Sequence, residues 1–317
     1  MPPRPVFSVF NSCSILSRSF AVIMSQFPVR SIDPTQTDAL LEVVTQQITL
    51  LTFDETDEDM LMQLVNCLAD PREIVQTQLA TTFGEIGEAS TAILLAGLAH
   101  HPISLVRRGC GRSLAKVRDP EAVPGLIQSL LQDPDPRVKS AVSSALVAIG
   151  SASVPDLLEL ISSDIGTAET GHAAWALAHM DAESLPIFYT AIDSPIGSVR
   201  AAVVAATSAI LKAHIGQTIE QTIEPAIALI LISLTDLDPT VRTEAATAIG
   251  SIPLKIEVEK LLATLADPVE DVRRAGAIAL GKLGNKKAIG LLKQSAEHDE
   301  SNSVRILAAL AIGLLES

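Results

Sequence analysis

The chain has 317 residues, a net charge of −14, and a composition that is 48% hydrophobic but only 3% aromatic. That acidic balance disfavours sequence-independent binding to nucleic acid, since phosphate neutralisation needs a surplus of lysine and arginine, and it favours solubility. Alanine, leucine, valine and isoleucine carry the apolar load, as in closely packed small-residue helices rather than a sheet-rich enzyme, so the fold class expected is all-α.

Residues 1 to 32 differ from the rest. They contain Arg4, Arg18 and Arg30, several serines, and no acidic residue before Asp33. Residues 1–30 read either as a disordered, transit-like segment or as an extension preceding a start at Met24, and residues 31–317 as one repeat array. The apolar stretch "FAVIM" is far shorter than a membrane span, and no later segment reads as one. Cys13, Cys67 and Cys110 form no CxxC pair, the usage of a reducing compartment. Cys67 and Cys110 fall where a helix wants a small apolar residue, so both are expected to be buried and inert.

Asp57, Glu58 and Asp59 mark a helix start, where acidic side chains suit the macrodipole. From there one motif recurs, as in "LTDLDPTVRTEAATAIGSIP" at 234–253 and "LADPVEDVRRAGAIALGKLGNKKA" at 265–288. Aligned on its valine, it falls at Val75, Val106, Val138, Val199, Val241, Val272 and Val304, at intervals of 31, 32, 61, 42, 31 and 32 residues. The interval of 61 holds a degenerate copy centred on Glu169, and that of 42 carries an insertion placed in "KAHIGQTIEQTIEP". A period near 31 with two helices per unit predicts a right-handed, HEAT-like α-solenoid of about eight two-helix repeats.

Each part of the motif has a physical reason. Asp135-Pro136 and Asp238-Pro239 read as an N-cap followed by proline at the first helical position. The stripe Val272, Gly276, Ala279 and Leu280 is the buried face of an amphipathic second helix. Gly87, Gly150, Gly250 and Gly284 are C-cap candidates. The arginine after the valine (Arg107, Arg200, Arg242, Arg273, Arg305) stands beside an aspartate of the preceding turn, and its recurrence reads as an ion-pair ladder between repeats.

With the consensus assigned to stacking, function is sought where layers diverge on the open face. The second helix turns outward 2, 6 and 10 residues after its valine. In the second layer those positions are Arg108, Arg112 and Lys116; the third contributes Ser144; the fourth brings Trp175 and His179, with His172 close by. A basic wall, a small-residue floor and an aromatic wall suit a long, flat, conjugated anion. The alternative is solvated arginines and a Trp175 that merely packs against a neighbouring helix. Ile306, Leu310 and Leu314 occupy the open face of the last layer, and the expectation there is docking of a partner or a second copy, unless the helical phase has slipped.

No phosphate-binding, metalloprotease or nucleophile-elbow motif occurs, His100 and His101 lack ligand partners at metal spacing, and no catalytic residue can be assigned. The stretches "LADPVEDVRRAGAIALGKLGNKKAIGLL" and "PEAVPGLIQSLLQDPDPRVKSAVSSALVAIG" resemble the HEAT-like repeats of the E/F-type phycobilin lyases over about residues 60 to 317, and "HAAWALAHM" is similar to alanine-alanine-tryptophan stretches of that family. The resemblance implies a bilin lyase or chaperone-like factor. Its substrate would be an open-chain tetrapyrrole, attached to or detached from a cysteine of a phycobiliprotein subunit, with no permanently bound cofactor. It also implies a second lyase subunit or a homodimer, and a cyanobacterial cytosol, or a plastid if residues 1–30 are a transit peptide. The departures are the basic N-terminal segment and the long fifth unit. A non-catalytic adaptor holding a protein in its groove is the competing reading.

Overall fold

The computed structural model describes residues 33–163, 166–214, 220–252 and 259–316. The reading of residues 1–30 and part of the insertion after His214 lie outside these. Two compact units divide the chain after Ile149.

The first unit holds α1 (Pro34–Thr49), α2 (Glu58–Cys67), α3 (Glu73–Ile86), α4 (Thr91–His100), α5 (Ser104–Val117), α6 (Val123–Gln132) and α7 (Pro136–Ile149). The inner helices α3, α5 and α7 pack on one another in order, as do the outer helices α2, α4 and α6, while α1 packs on α3. The second unit holds α8 (Val154–Ser162), α9 (Thr167–Ala178), α10 (Leu185–Ala191), α11 (Gly197–His214), α12 (Glu220–Ser233), α13 (Pro239–Ile249), α14 (Glu259–Leu262), α15 (Glu270–Leu283), α16 (Ile289–His298) and α17 (Asn302–Glu316). There α9, α11, α13, α15 and α17 stack in sequence. No strand occurs among the described residues. The fold is an all-α solenoid of two-helix layers.

Helix α15 shows why these residues make this element. Glu270 and Asp271 occupy its first turn and Lys282 its last, complementing the helix dipole at both ends. Val272, Gly276, Ala279 and Leu280 are all buried, and fully burying a side chain such as leucine contributes about 1.5–3 kcal/mol. Gly284 ends the helix at φ 71°, a left-handed conformation that an L side chain adopts only at a cost.

The aspartate caps hold as expected. Asp135 Oδ1 accepts the Arg137 N–H at 2.9 Å and Asp238 Oδ1 accepts the Thr240 N–H at 2.8 Å. Gly250 caps α13 as expected, its N–H donating to the Ala246 carbonyl, but for a different reason. Its φ is −67°, so it is no left-handed cap; a Cβ there would stand 2.6 Å from the Ala279 Cα. The residue is small because α15 passes directly over it. Gly281 serves the same purpose one layer on, with the Ala311 Cα 3.0 Å from its virtual Cβ.

Four of the five arginines form a ladder between layers, each guanidinium reaching forward to the next layer's turn and not to the carboxylate of its own, while Arg305 of the last layer bonds the Asp299 and Glu300 carbonyls of its own turn. Arg107 Nε donates to Asp133 at 2.7 Å, Arg200 to Asp236 at 2.8 Å, Arg242 to Asp267 at 2.8 Å and Arg273 to Asp299 at 2.8 Å. Nη2 completes a second, parallel bond in each pair. Nη1 meanwhile donates to a backbone carbonyl of the arginine's own turn, that of His101, Ser194, Asp236 or Asp267. One side chain thus braces its own turn and grips the next, the planar bidentate geometry that favours arginine over lysine. Where α3 has Gln76 in the arginine position, the following turn has His101 in place of aspartate. Gln76 donates to the carbonyls of Leu68 and Asp70, and His101 Nδ1 accepts the Ile103 N–H at 3.1 Å. Both partners of that rung have changed together.

Of the two helical cysteines, Cys110 is buried and Cys67 only half-buried. Burial pushes both thiols up, away from thiolate reactivity. The stretch Pro136–Ser162 is long and apolar enough to cross a membrane by composition, yet half of its most apolar window is buried. Gly150, at φ 80°, separates it into α7 and α8.

Candidate functional site

The open face of the inner helices carries the side chains that set one layer apart from another. In the first unit, α5 presents Arg108 and Arg112 toward α3. Arg112 Nη1 lies 3.0 Å from Glu73 Oε1, Arg108 Nη2 lies 4.0 Å from the other oxygen of the same carboxylate, and Arg112 Nη2 is 3.5 Å from the Thr77 hydroxyl. The basic wall is therefore a network centred on Glu73, and an incoming anion has to compete with that carboxylate. Lys116 is exposed. The Ser144 hydroxyl donates to the Ser140 carbonyl of its own helix at 3.0 Å, leaving its oxygen as an acceptor.

In the second unit, Trp175 on α9 is 43% exposed. Its ring stacks on that of His179, with centroids 4.2 Å apart and planes at 28°, and His179 Nδ1 sits 2.7 Å from the Trp175 carbonyl. His172 is half-buried one turn before Trp175. The tryptophan stacks on a side chain from the end of its own helix, and it keeps an exposed face. The seven residues named from sequence thus fall into two groups: Arg108, Arg112, Lys116 and Ser144 in the first unit, and His172, Trp175 and His179 in the second.

Ile306, Leu310 and Leu314 form one row on α17, exposed by 52%, 61% and 61%, while Val304, Ala308, Ala311 and Leu315 of the same helix are buried. Beside this row lies a feature that the sequence reading did not select. Thr243 and Thr247 of α13, with Asp271, Arg274 and Ile278 of α15, line a cleft of about 340 Å³. Ile278 is 39% exposed. The signal in the sequence is an isoleucine at an outward position between Arg274 and Lys282. Among the described residues, no group of three or more His, Cys, Asp or Glu is placed to hold a metal ion.

A sequence model described as HEAT repeats matches residues 61–146, 91–178 and 223–313. The chain belongs to the HEAT repeats family. No curated protein matches it by sequence search. Among solved structures, Kap121p bound to Nup53p is 13% identical with a TM-score of 0.53, covering 94% of this chain and 37% of that one. Human deoxyhypusine hydroxylase in complex with glycerol is 21% identical with a TM-score of 0.36, covering 82% of this chain and 96% of that one. The complex of CpcE and CpcF of phycocyanin lyase from a Nostoc species is 19% identical with a TM-score of 0.31, covering 80% of this chain and 94% of that one. Likeness at the level of Kap121p speaks for the helical-repeat fold alone, and the two lower scores add no argument about activity.

Proposed function

We propose that this protein is a binding scaffold that receives a segment of a partner protein along the open face of its inner helices. The observation that carries this reading is the row Ile306, Leu310 and Leu314, three large apolar side chains more than half exposed at i, i+4 and i+8 of one helix. Exposed apolar surface costs free energy in water unless something covers it, and HEAT repeats typically bind proteins.

Photo-crosslinkers placed at Leu310 in the groove and at Ile232, an exposed residue of α12, would test it. The groove position should give an adduct with one reproducible protein, and Leu310→Lys with Leu314→Lys should abolish binding of that protein once purified. Equal adducts from both positions, or unchanged binding by the double variant, would count against the scaffold.

A second reading, a bilin-handling factor of the phycobilin-lyase type, is supported by the sequence resemblance and by the exposed Trp175–His179 stack, a flat surface suited to a conjugated ring system. Titration with free bilins followed by absorbance tests it. Trp175→Ala should then alter the bound spectrum and weaken binding by roughly 0.5–1.5 kcal/mol, the worth of one aromatic pair. Absence of any spectral change with the parent protein sinks that reading and leaves the scaffold standing.

A further inference from the structure

Resting on the scaffold reading, we infer that the groove of the second unit is built for an acidic amphipathic segment of a partner protein, with its apolar side chains over Ile278, Ile306 and Leu310 and a carboxylate at Arg274. Three observations converge on this occupant. Arg274, Ile278 and Lys282 on α15 stand 32 residues before Ile306, Leu310 and Leu314 on α17, so the two rows run in register on helices that pack together. The register shows in the packing too, since Leu314 Cδ1 comes within 3.5 Å of the place a Cβ on Gly281 would take. Next to these rows, Thr243 and Thr247 face Arg274 across the 340 Å³ cleft.

The groove therefore grades from an apolar row on α17, through a row with cations at both ends on α15, to hydroxyls on α13. Eight residues separate Ile306 from Leu314, about 12 Å of helix. A partner helix with apolar residues at i, i+4 and i+8 spans the same length. Turned so that its apolar stripe covers the α17 row, such a helix presents one flank to Arg274 and Lys282.

That flank has to be acidic. Arg274 is 44% exposed and, among the described residues, is paired with Asp271 of its own helix, 3.0 Å away and itself 68% exposed. Such a pair is screened and weak, so an incoming carboxylate displaces Asp271 at little cost, and desolvation by the apolar side chains strengthens the new pair. Both threonine hydroxyls donate to carbonyls one turn back in α13, at 2.8 and 2.9 Å. Their methyl groups and remaining lone pairs line the wall opposite Arg274. A cationic partner side chain would meet Arg274 and Lys282 as like charges.

The test uses the full chain and three synthetic peptides of one amphipathic leucine pattern whose flanking positions are all glutamate, all glutamine or all lysine, read by fluorescence anisotropy. The glutamate peptide should bind at least about tenfold more tightly than the lysine peptide, with the preference falling as salt rises. Arg274→Glu with Lys282→Glu should reverse the order, and Leu310→Ser should weaken all three, with circular dichroism and urea midpoints unchanged. Equal binding of the three peptides, or a preference that survives charge reversal, overturns the acidic assignment. The scaffold reading survives that result if Leu310→Ser still removes binding. No binding of any peptide overturns the proposal, and the crosslinking experiment then decides the scaffold reading by itself. If sedimentation shows the parent to be a dimer that Leu310→Ser dissociates, a second copy fills the groove and the proposal of a separate partner fails.

Discussion

Replacing Asp299 by alanine should lower stability by about 3 to 5 kcal/mol, because it takes from a buried guanidinium the carboxylate that accepts two of its hydrogen bonds. The Arg273 side chain is only 7% exposed and that of Asp299 6%, and the carboxylate that remains, Glu300 at 3.3 Å, is 85% exposed and a weak replacement. The same aspartate also accepts the Ser301 N–H at 2.8 Å, and the variant loses that turn bond as well. The double variant Arg273→Met with Asp299→Leu should recover much of the loss, since a well-packed apolar pair is often as stable as a buried ion pair. Urea unfolding of the two variants beside the parent measures both effects. A loss below about 1 kcal/mol for Asp299→Ala, the range of surface ion pairs, would mean that the ladder is ornamental and that helix packing alone holds the layers.

The second large effect is acid sensitivity. The Arg200 fork holds the Asp236 carboxyl below its ordinary value of 3.8. Burial pushes Asp267 and Asp299 upward, but the hydrogen bonds and charges of Arg242 and Arg273 outweigh it, so both end below 3.8 as well. A carboxyl depressed in the folded state gives stability that is present above its unfolded value and is lost as pH falls through the folded value. Asp156 and Glu244 behave oppositely. Burial raises both, with Lys212 partly offsetting the effect at Glu244, so folding gains slightly as they protonate. The expected profile is a small rise in urea midpoint on mild acidification and a steep fall below about pH 4, where the ladder carboxylates protonate in the unfolded chain. A parent whose midpoint holds down to about pH 3 would contradict the ladder's role.

The repeats were legible because their signals are local and periodic. The valine stripe of α15 lies within nine residues, and the caps at Asp135 and Asp238 act over two. The direction of the ladder was not legible in the same way. The aspartate nearest in sequence belongs to the arginine's own turn, whereas its true partner lies 26 residues on for Arg107 and Arg273, 25 for Arg242 and 36 for Arg200. Gly250 is a C-cap, as its position suggests, but a glycine at a helix end can serve φ or proximity, and only the position of Ala279 separates the two.

The open-face residues were found by helical phase, and their surroundings were not. Arg108 and Arg112 looked like free cations because Glu73 stands 39 residues before Arg112. Ile278, one isoleucine among cations, gains its meaning only from the cleft that α13 and α15 form around it. Stacking chemistry repeats in every layer and can be read by alignment. Binding chemistry is written once, across layers, and needs the packing to be seen.

The central claim, that α17 gives its apolar row to a partner and not to the fold, is tested most directly by one urea midpoint. It is taken for the parent and for Leu310→Lys with Leu314→Lys, each with and without the partner identified by crosslinking. A ligand that binds only the folded chain raises its midpoint. The account predicts equal midpoints without partner, a rise for the parent when the partner is added, and none for the variant; a variant already destabilised on its own, or stabilised by the partner as much as the parent, would show that the row belongs to the fold.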